Sequence, residues 1–195
     1  GANTISPSVN QPGTYELLVT NTTTGCTDIS TVMVTEDLTP PVSNPLAPDQ
    51  LDCLNSSVEL LGVASTMGPN ITYSWTTADG NIVSGQNNIN SFVDQEGTYD
   101  LLVTNTLTGC SAMASILVSQ DLAQPTADGF AGPALDCFNN TSEVSATGSS
   151  MGPNIEYEWT TANGSIISGG NTFTASVGAP GTYDLLVTNT SNSCT

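Results

Sequence analysis

Apolar residues alternate with polar ones over short stretches of this chain, and one such stretch recurs. In residues 97–106, GTYDLLVTNT, the side chains of Tyr99, Leu101 and Val103 lie on the same side of an extended backbone. Alternation with a period of two, with aromatic and β-branched residues on one face, is typical of a half-buried β-strand. Turn residues and Cys110 follow, and then a second alternating run begins. The pattern therefore predicts a hairpin of two strands.

The first strand of this hairpin, with the turn and the cysteine that follow it, occurs three times at a constant spacing. The copies begin at Gly13, Gly97 and Gly181, and 97 − 13 = 84 and 181 − 97 = 84. A repeat of this length can enclose its own core, whereas shorter repeats must stack to bury one. The chain begins and ends part-way through a repeat, which is the pattern expected of a segment of a longer array. This pattern predicts three segments: 1–39 as the C-terminal part of a repeat, 40–123 as a complete repeat, and 124–195 as a repeat without its last strand.

The rest of the repeat contains further short strands separated by turn residues. Strands are predicted over residues 58–64 and 71–77, with a polar loop at 65–70 between them. The sequence Asp79-Gly80-Asn81 predicts a hairpin turn to a return strand that begins at Ile82. No stretch of about ten residues has the apolar spacing of a helix. About seven short strands per repeat predict an all-β fold of tandem immunoglobulin-like β-sandwich domains.

Aromatic residues recur at fixed positions of the repeat and are predicted to anchor its cores. Aromatic side chains bury the largest apolar area per residue. The predicted core anchors are Tyr73, Trp75, Tyr99, Tyr157, Trp159 and Tyr183.

The chain has an acidic surface that lacks positive charge. It contains 18 Asp and Glu but no Lys, Arg or His, and its formal net charge is −18. Nucleic-acid binding is disfavoured, because affinity for phosphate depends on Lys and Arg. Attraction to anionic lipid is disfavoured for the same reason. No apolar run approaches the ~20 residues of a membrane-spanning helix, so membrane insertion is not expected.

Five cysteines form two series that keep the spacing of the repeat. Cys26, Cys110 and Cys194 belong to one series, and Cys53 and Cys137 belong to the other. Such a pattern predicts disulfides and an oxidising compartment, whereas metal binding is disfavoured because there is no C-x-x-C and no His. Two pairings respect the repeat: Cys53–Cys110 with Cys137–Cys194, or Cys26–Cys53 with Cys110–Cys137.

The length of the last strand favours the first of these pairings. After Cys110, ten extended residues carry the chain ~33 Å away before the next repeat begins. The two Cα atoms of a disulfide lie within about 7 Å of each other, so a bond between successive cysteines would fold one repeat back along its neighbour. We therefore expect bonds within each repeat, and a partner for Cys26 in the missing part of its own repeat.

Candidate chemistry in this sequence is sparse. Without His or Lys there is no ordinary general base for a Ser or Thr nucleophile, so we expect no enzyme. Glu156 and Glu158 lie on one strand face, but the equivalent positions in the preceding repeat are not acidic. Calcium is the better candidate cofactor, because carboxylates recur near each junction between repeats. Local hydrogen bonding at strand ends is the alternative role of these candidates, Asp37, Asp52, Asp121 and Asp136.

Two motifs of the repeat resemble a known family. Ile71–Gly80, ITYSWTTADG, followed by Gly97–Val103, GTYDLLV, is similar to the Tyr-x-Trp and Gly-Thr-Tyr-x-Val-x-Val patterns of polycystic-kidney-disease-type (PKD) domains. The form with cysteines at Cys53 and Cys110 resembles the tandem PKD-like repeats of large Bacteroidota surface adhesins. The chain differs from the family at residues 76–80, where TTADG replaces Phe-Gly-Asp-Gly. The resemblance implies an extracellular spacer or adhesion module without catalysis.

The expected function is thus an extracellular structural or adhesive array at the cell surface that forms a stalk or fibre. The expected partners are neighbouring repeats of the same chain, further copies in a filament, and surface glycans. The alternative is a carbohydrate- or other ligand-binding module that uses the loops at 65–70 and 86–96. Phe92 and Phe173, the nearby aromatics, are expected to face the core.

Overall fold

The computed structural model describes residues 4–46 and 48–195. In these ranges the chain is all-β, as the alternating pattern predicts, and no helix is long and apolar enough to cross a membrane. The strands are β1 (Gly13–Thr20), β2 (Thr27–Val34), β3 (Val58–Leu61), β4 (Ile71–Thr77), β5 (Ile82–Ser84), β6 (Asn90–Val93), β7 (Gly97–Asn105), β8 (Ser111–Val118), β9 (Phe130–Ala131), β10 (Ser142–Ser145), β11 (Ile155–Thr160), β12 (Ser165–Ser168), β13 (Thr174–Ala179) and β14 (Asp184–Asn189).

The first segment contains the predicted hairpin. Strands β1 and β2 pair antiparallel, from Gly13 opposite Val34 to Thr20 opposite Thr27. The side chain of Asn21 forms the turn, because its Oδ1 accepts the backbone N–H groups of Thr23 and Thr24. No second sheet covers this hairpin in the described residues, so its apolar side chains remain exposed.

The second segment contains two sheets around one core. One sheet has the order β3-β6-β5 and the other has the order β4-β7-β8. Both contribute buried side chains to a common apolar cluster, with Leu60 and Val93 from the first sheet and Trp75 and Leu101 from the second. In β7 the side chains of Tyr99, Leu101 and Val103 have no exposed area, whereas Leu102 is 37% exposed. The alternation predicted for this strand is therefore confirmed.

The third segment repeats much of this arrangement. Its sheets have the orders β12-β13-β10-β9 and β11-β14. Tyr157 lies opposite Val187 in β11 and β14, and Tyr73 lies opposite Val103 in β4 and β7. The same pairing thus recurs at the same spacing as the sequence motif. The core is smaller and is formed by Val144, Ala146, Trp159, Ala175 and Val177.

The six predicted core anchors differ in their burial. Trp75 and Tyr99 are fully buried, and Trp159 is 5% exposed. The side chains of Tyr73, Tyr157 and Tyr183 are half-buried and pack against the two apolar clusters.

The predicted hairpin at Asp79-Gly80-Asn81 is wrong. This turn joins β4 to β5, which belong to different sheets. Oδ1 of Asp79 accepts the backbone N–H of Thr98 at 2.9 Å, and the hydroxyl of Thr77 donates to the carbonyl oxygen of Thr98 at 2.8 Å. Because these bonds tie the turn to β7, the chain crosses to the opposite sheet instead of folding back on β4.

A tyrosine hydroxyl closes the same end of each core. The hydroxyl of Tyr99 donates to the carbonyl oxygen of Gln95 at 2.7 Å and accepts the backbone N–H of Asn81 at 2.9 Å. Tyr183 donates to the carbonyl oxygen of Ala179 at 2.6 Å, again four residues earlier. Burial raises the pKa of Tyr99. The hydroxyl group thus satisfies backbone groups that lie beside an apolar core.

We predict that Gly80→Ala destabilises the second segment. A Cβ atom at Gly80 would overlap the hydroxyl oxygen of Tyr99, so the ring would have to move out of its buried site. Overpacking of this kind costs about 1–3 kcal/mol. The matched control is Gly68→Ala, where a Cβ would meet only Cγ1 of Ile71, at an ordinary 3.7 Å. Thermal unfolding followed by calorimetry should show a lower midpoint for Gly80→Ala alone, and equal midpoints would contradict this role of Gly80.

Candidate functional site: the Cys53–Cys194 junction

The chain that leads to Cys53 lies beside the end of β8. Leu51 forms a parallel bridge with Gln120 and is 1% exposed. Its backbone N–H donates to the carbonyl oxygen of Ser119 at 3.0 Å, and its carbonyl oxygen accepts the N–H of Asp121 at 2.9 Å. Because Asp121 leads directly into the third segment, this pairing places Cys53 at the end of the second segment that faces the third.

Cys194 lies on the other side of this junction, at the end of the third segment that faces the second. It follows β14 after a tight turn, and the backbone N–H of Asn189 donates to its carbonyl oxygen at 2.9 Å. Ser193 in this turn has φ 55°, whereas Gly25 and Gly109 occupy the equivalent turns with φ 72° and 76°. The turn therefore keeps a left-handed residue before the cysteine even where a side chain makes that conformation costly.

A disulfide joins Cys53 to Cys194 across the junction. Their Cα atoms are 5.0 Å apart, and the bond spans 141 residues of sequence. The predicted bonds Cys53–Cys110 and Cys137–Cys194 are therefore wrong. In the described chain Cys26, Cys110 and Cys137 are free, so the alternative bonds between successive cysteines are not formed either.

The position of the chain before Cys53 explains the error. Cys110 immediately precedes β8, while Leu51 pairs with residues just after β8. The eight residues of this strand span ~26 Å at ~3.3 Å each, so the two cysteines of one segment lie at opposite ends of it. A bond within the segment would exceed the distance that a disulfide allows. The same spacing brings Cys53 close to the last cysteine of the following segment.

Asn192 is the residue of this site that the sequence did not indicate. Its side chain is fully buried, and its Nδ2 donates to Oδ1 of Asp121 and to the carbonyl oxygen of Ala123, both at 3.0 Å. Its Oδ1 accepts the backbone N–H of Cys194 at 3.2 Å. Its carbonyl oxygen accepts the N–H of Cys53 at 3.1 Å. Asn192 thus contacts the last residues of the second segment and both bonded cysteines. The other copies have Thr at this position, so the repeat gave no signal for it.

The four candidate calcium ligands all accept hydrogen bonds from nearby backbone N–H groups; they are Asp37, Asp52, Asp121 and Asp136. The N–H of Ala123 and then the amide of Asn192 hold the pKa of Asp121 below its ordinary value. The pKa of Asp52 is lowered chiefly by the N–H of Asn55, that of Asp136 by the N–H of Asn139, and that of Asp37 by the N–H of Thr39. These contacts are the local hydrogen bonds that formed the alternative interpretation.

Asp52 and Asp121 lie close enough for the charge of Asp52 to oppose ionisation of Asp121. Among the described residues no group of three or more Asp, Glu, Cys or His is placed to hold a metal ion. Calcium binding stays a prediction for this junction.

The remaining candidate residues lie away from the junction. Glu156 and Glu158 are exposed on β11. Phe92 on β6 is 44% exposed, so the expectation that it faces the core is wrong. Phe173 packs against the core with its ring centroid 5.4 Å from that of Tyr157. Within loop 65–70, Ser65 is buried and its Oγ accepts the backbone N–H of Asn44 at 2.9 Å.

No protein-family model matches the chain, and a comparison with curated proteins finds no similar sequence.

Peptide mapping should find Cys53 bonded to Cys194. Trypsin has no cleavage site in this chain, but cyanogen bromide cleaves after Met33, Met67, Met113 and Met151 and so places each cysteine on its own fragment. The acidic conditions of this cleavage suppress thiol exchange, because the thiolate is the attacking species. Fragments 34–67 and 152–195 should migrate together until they are reduced. A bonded pair of fragments 34–67 and 68–113 would instead restore the bond between Cys53 and Cys110.

The stabilising effect of the Asp121 carboxylate should depend on pH. A carboxyl group whose pKa is lower in the folded state contributes stability above its unfolded pKa, about 3.8, and loses it as pH falls through the folded pKa. We therefore expect Asp121→Asn to have a lower melting midpoint than Glu158→Gln at about pH 7, and this difference should disappear as the pH falls through the lowered pKa of Asp121 in the folded state.

Glu158→Gln is the matched control for this comparison. Each variant removes one negative charge from a chain of net charge −18, so any relief of repulsion is similar in both. A difference between the two midpoints that stays constant from neutral to acidic pH would contradict the role of the ionised Asp121.

Proposed function

We propose that this chain is part of an extracellular structural or adhesive array in which immunoglobulin-like, PKD-like sandwich domains form a stalk or fibre. The observation that carries the proposal is the covalent bond between the second and third segments. A disulfide inside one small domain stabilises that domain alone, whereas Cys53–Cys194 fixes one segment to the next. A bond of this kind serves a protein whose segments must keep their relative positions under load.

The pairing of the strands supports the immunoglobulin-like part of this proposal. In such sandwiches a sheet that contains the last two strands packs against a second sheet over a shared core. The sheet β4-β7-β8 and the sheet β3-β6-β5 have this relationship. A tyrosine near the start of the penultimate strand that bonds to backbone upstream is a further feature of the family. Tyr99 and Tyr183 make such bonds, each to the residue four positions earlier.

The chemistry of the junction supports an extracellular location. Disulfides persist in oxidising compartments and are rare where thiols are kept reduced. One half of the bond, Cys53, is exposed, so the surrounding solution can reach it. The absence of Lys and Arg is also compatible with a surface whose role does not involve binding anionic polymers.

Load applied along the chain would pass through the disulfide. When the two termini are pulled apart, the disulfide transmits the force directly from Cys53 to Cys194. The peptide between the two cysteines is therefore not stretched. Strands β3 to β14 all lie within this stretch. The bond therefore limits the length that unfolding can release, which is the property expected of a stalk.

Single-molecule pulling on residues 1 and 195 tests this load path. After reduction the fully extended chain should lengthen by roughly 450–500 Å, because 141 residues at about 3.3–3.6 Å each become free to extend. Cys194→Ser should show the longer extension without reduction, and the control Cys137→Ser should behave as the unchanged chain. An oxidised chain that already extends to its full length would contradict the load path.

The cellular part of the proposal has its own test. An antibody against the purified chain should label intact cells that produce the protein, at a distance from the cell surface. Labelling that requires permeabilised cells would overturn the extracellular assignment.

A further inference from the structure

We propose that the Cys53–Cys194 bond is one member of a series in which the first cysteine of each repeat bonds to the last cysteine of the next repeat. Cys137 is then the open half of a bond to a following repeat, and Cys110 is the open half of a bond to the first cysteine of the repeat before it. This inference rests on the proposed array for its setting, but its chemistry can be tested separately.

At the junction between the first and second segments, Cys110 already lies where the proposed series requires it, against the first segment. Sγ of Cys110 lies 4.0 Å from the carbonyl oxygen of Asp37, which belongs to the first segment. Asp37 and Cys110 are the counterparts of Asp121 and Cys194, since each pair differs by one period of the repeat. At the second junction Asp121 is likewise close to Cys194, because Asn192 bonds to both residues. Cys110 therefore faces the first segment at the place where Cys194 meets Cys53.

The turn that carries Cys137 has the conformation of the turn that carries Cys53. The N–H of Asp52 donates to the carbonyl oxygen of Asn55 at 3.1 Å, and the N–H of Asp136 donates to that of Asn139 at 2.9 Å. In each turn the aspartate Oδ1 also accepts two backbone N–H groups, at 2.9 and 2.6 Å for Asp52 and at 2.7 and 2.8 Å for Asp136. The turn is thus formed with or without its disulfide, and it presents Cys137 exposed to solvent.

The two kinds of cysteine lie at opposite ends of a repeat, and this determines which ones can meet. Cys53 lies where its segment contacts the next one, and Cys194 lies where its segment contacts the previous one. Cys137 belongs to the first kind, while Cys26 and Cys110 belong to the second. The partner that fits Cys137 is therefore the last cysteine of a repeat of the same kind placed after the third segment.

Each bond forms by exchange with a small disulfide such as oxidised glutathione. One cysteine thiolate attacks the small disulfide, forming a mixed disulfide and releasing one thiolate. The second cysteine thiolate then attacks the protein sulfur of that mixed disulfide and releases the second small thiol. The two cysteines together lose two electrons and two protons, and the small disulfide is reduced to two thiols.

The test adds one period to the chain. A copy of residues 112–195 placed directly after Thr195 continues the repeat in phase and supplies a copy of Cys194. After oxidation in a glutathione buffer and cleavage with cyanogen bromide, fragment 114–151 should be bonded to the fragment that carries the copy of Cys194. The bond between Cys53 and Cys194 should form as before. Three thiols should remain open to alkylation, as in the original chain.

Two controls identify the partners. Replacing the copy of Cys194 by Ser should return Cys137 to the alkylated fraction and leave Cys53–Cys194 intact. Cys53→Ser in the extended chain should leave the bond of Cys137 intact, because the two bonds use different cysteines.

Two results would overturn the series. In the first, Cys137 stays open to alkylation, or bonds to another cysteine, while Cys53–Cys194 forms. In the second, the extended chain forms neither bond. In the first case the proposed stalk can still stand, since its pulling and labelling tests concern only the original bond and the cellular location.

Discussion

The parallel pairing of Leu51 with the residues after β8 is the constraint on which the junction depends. It fixes the first cysteine of the segment at one end, while the length of β8 holds the last cysteine at the other. With a cysteine at each end, a segment cannot form a disulfide within itself, and bonding requires a neighbour. The stability that a disulfide brings is thereby shared between segments, and the chain-entropy model gives about 5 kcal/mol for a loop of 141 residues.

Because the chain has no Lys, Arg or His, its carboxylates have no cationic side chain to pair with and are stabilised by hydrogen bonds instead. Aspartates at the junctions accept backbone N–H groups of the turns that follow them, as Asp52 and Asp136 do. Asn192 replaces a cationic partner for Asp121, since its amide donates a hydrogen bond without adding a charge. Such contacts depend less on salt than ion pairs do, because one partner is neutral. The hydrogen bonds that stabilise the junction therefore vary little in strength with salt concentration.

Much of the fold could be predicted from the sequence because local patterns determine it. The alternation in β7 identifies Tyr99, Leu101 and Val103 as an inward face, and the structure buries all three. The hairpin predicted at residues 79–81 is wrong because a hairpin and a crossing between sheets can use the same turn residues. What separates them is the bonding of Asp79 to β7, a contact over 19 residues.

The site was harder to predict because its contacts are not local. Cys53 meets Cys194 only through the placement of two segments, and Asn192 acts through contacts to Asp121 and Ala123 about 70 residues away. Spacing showed that the cysteines belong to the repeat, but spacing alone is compatible with bonds to the same repeat or to the next one.

The loop closed by Cys53 and Cys194 also changes what a single break in the backbone can do. A protease that cuts one peptide bond anywhere between these cysteines leaves both products attached through sulfur. Where the proposed series continues, the loop that starts at Cys137 begins before the loop that ends at Cys194 is closed, so successive loops overlap. In such an array, cleavage of a single peptide bond would not release the repeats beyond the cut. The cleaved repeat would stay covalently attached to both neighbours through disulfides.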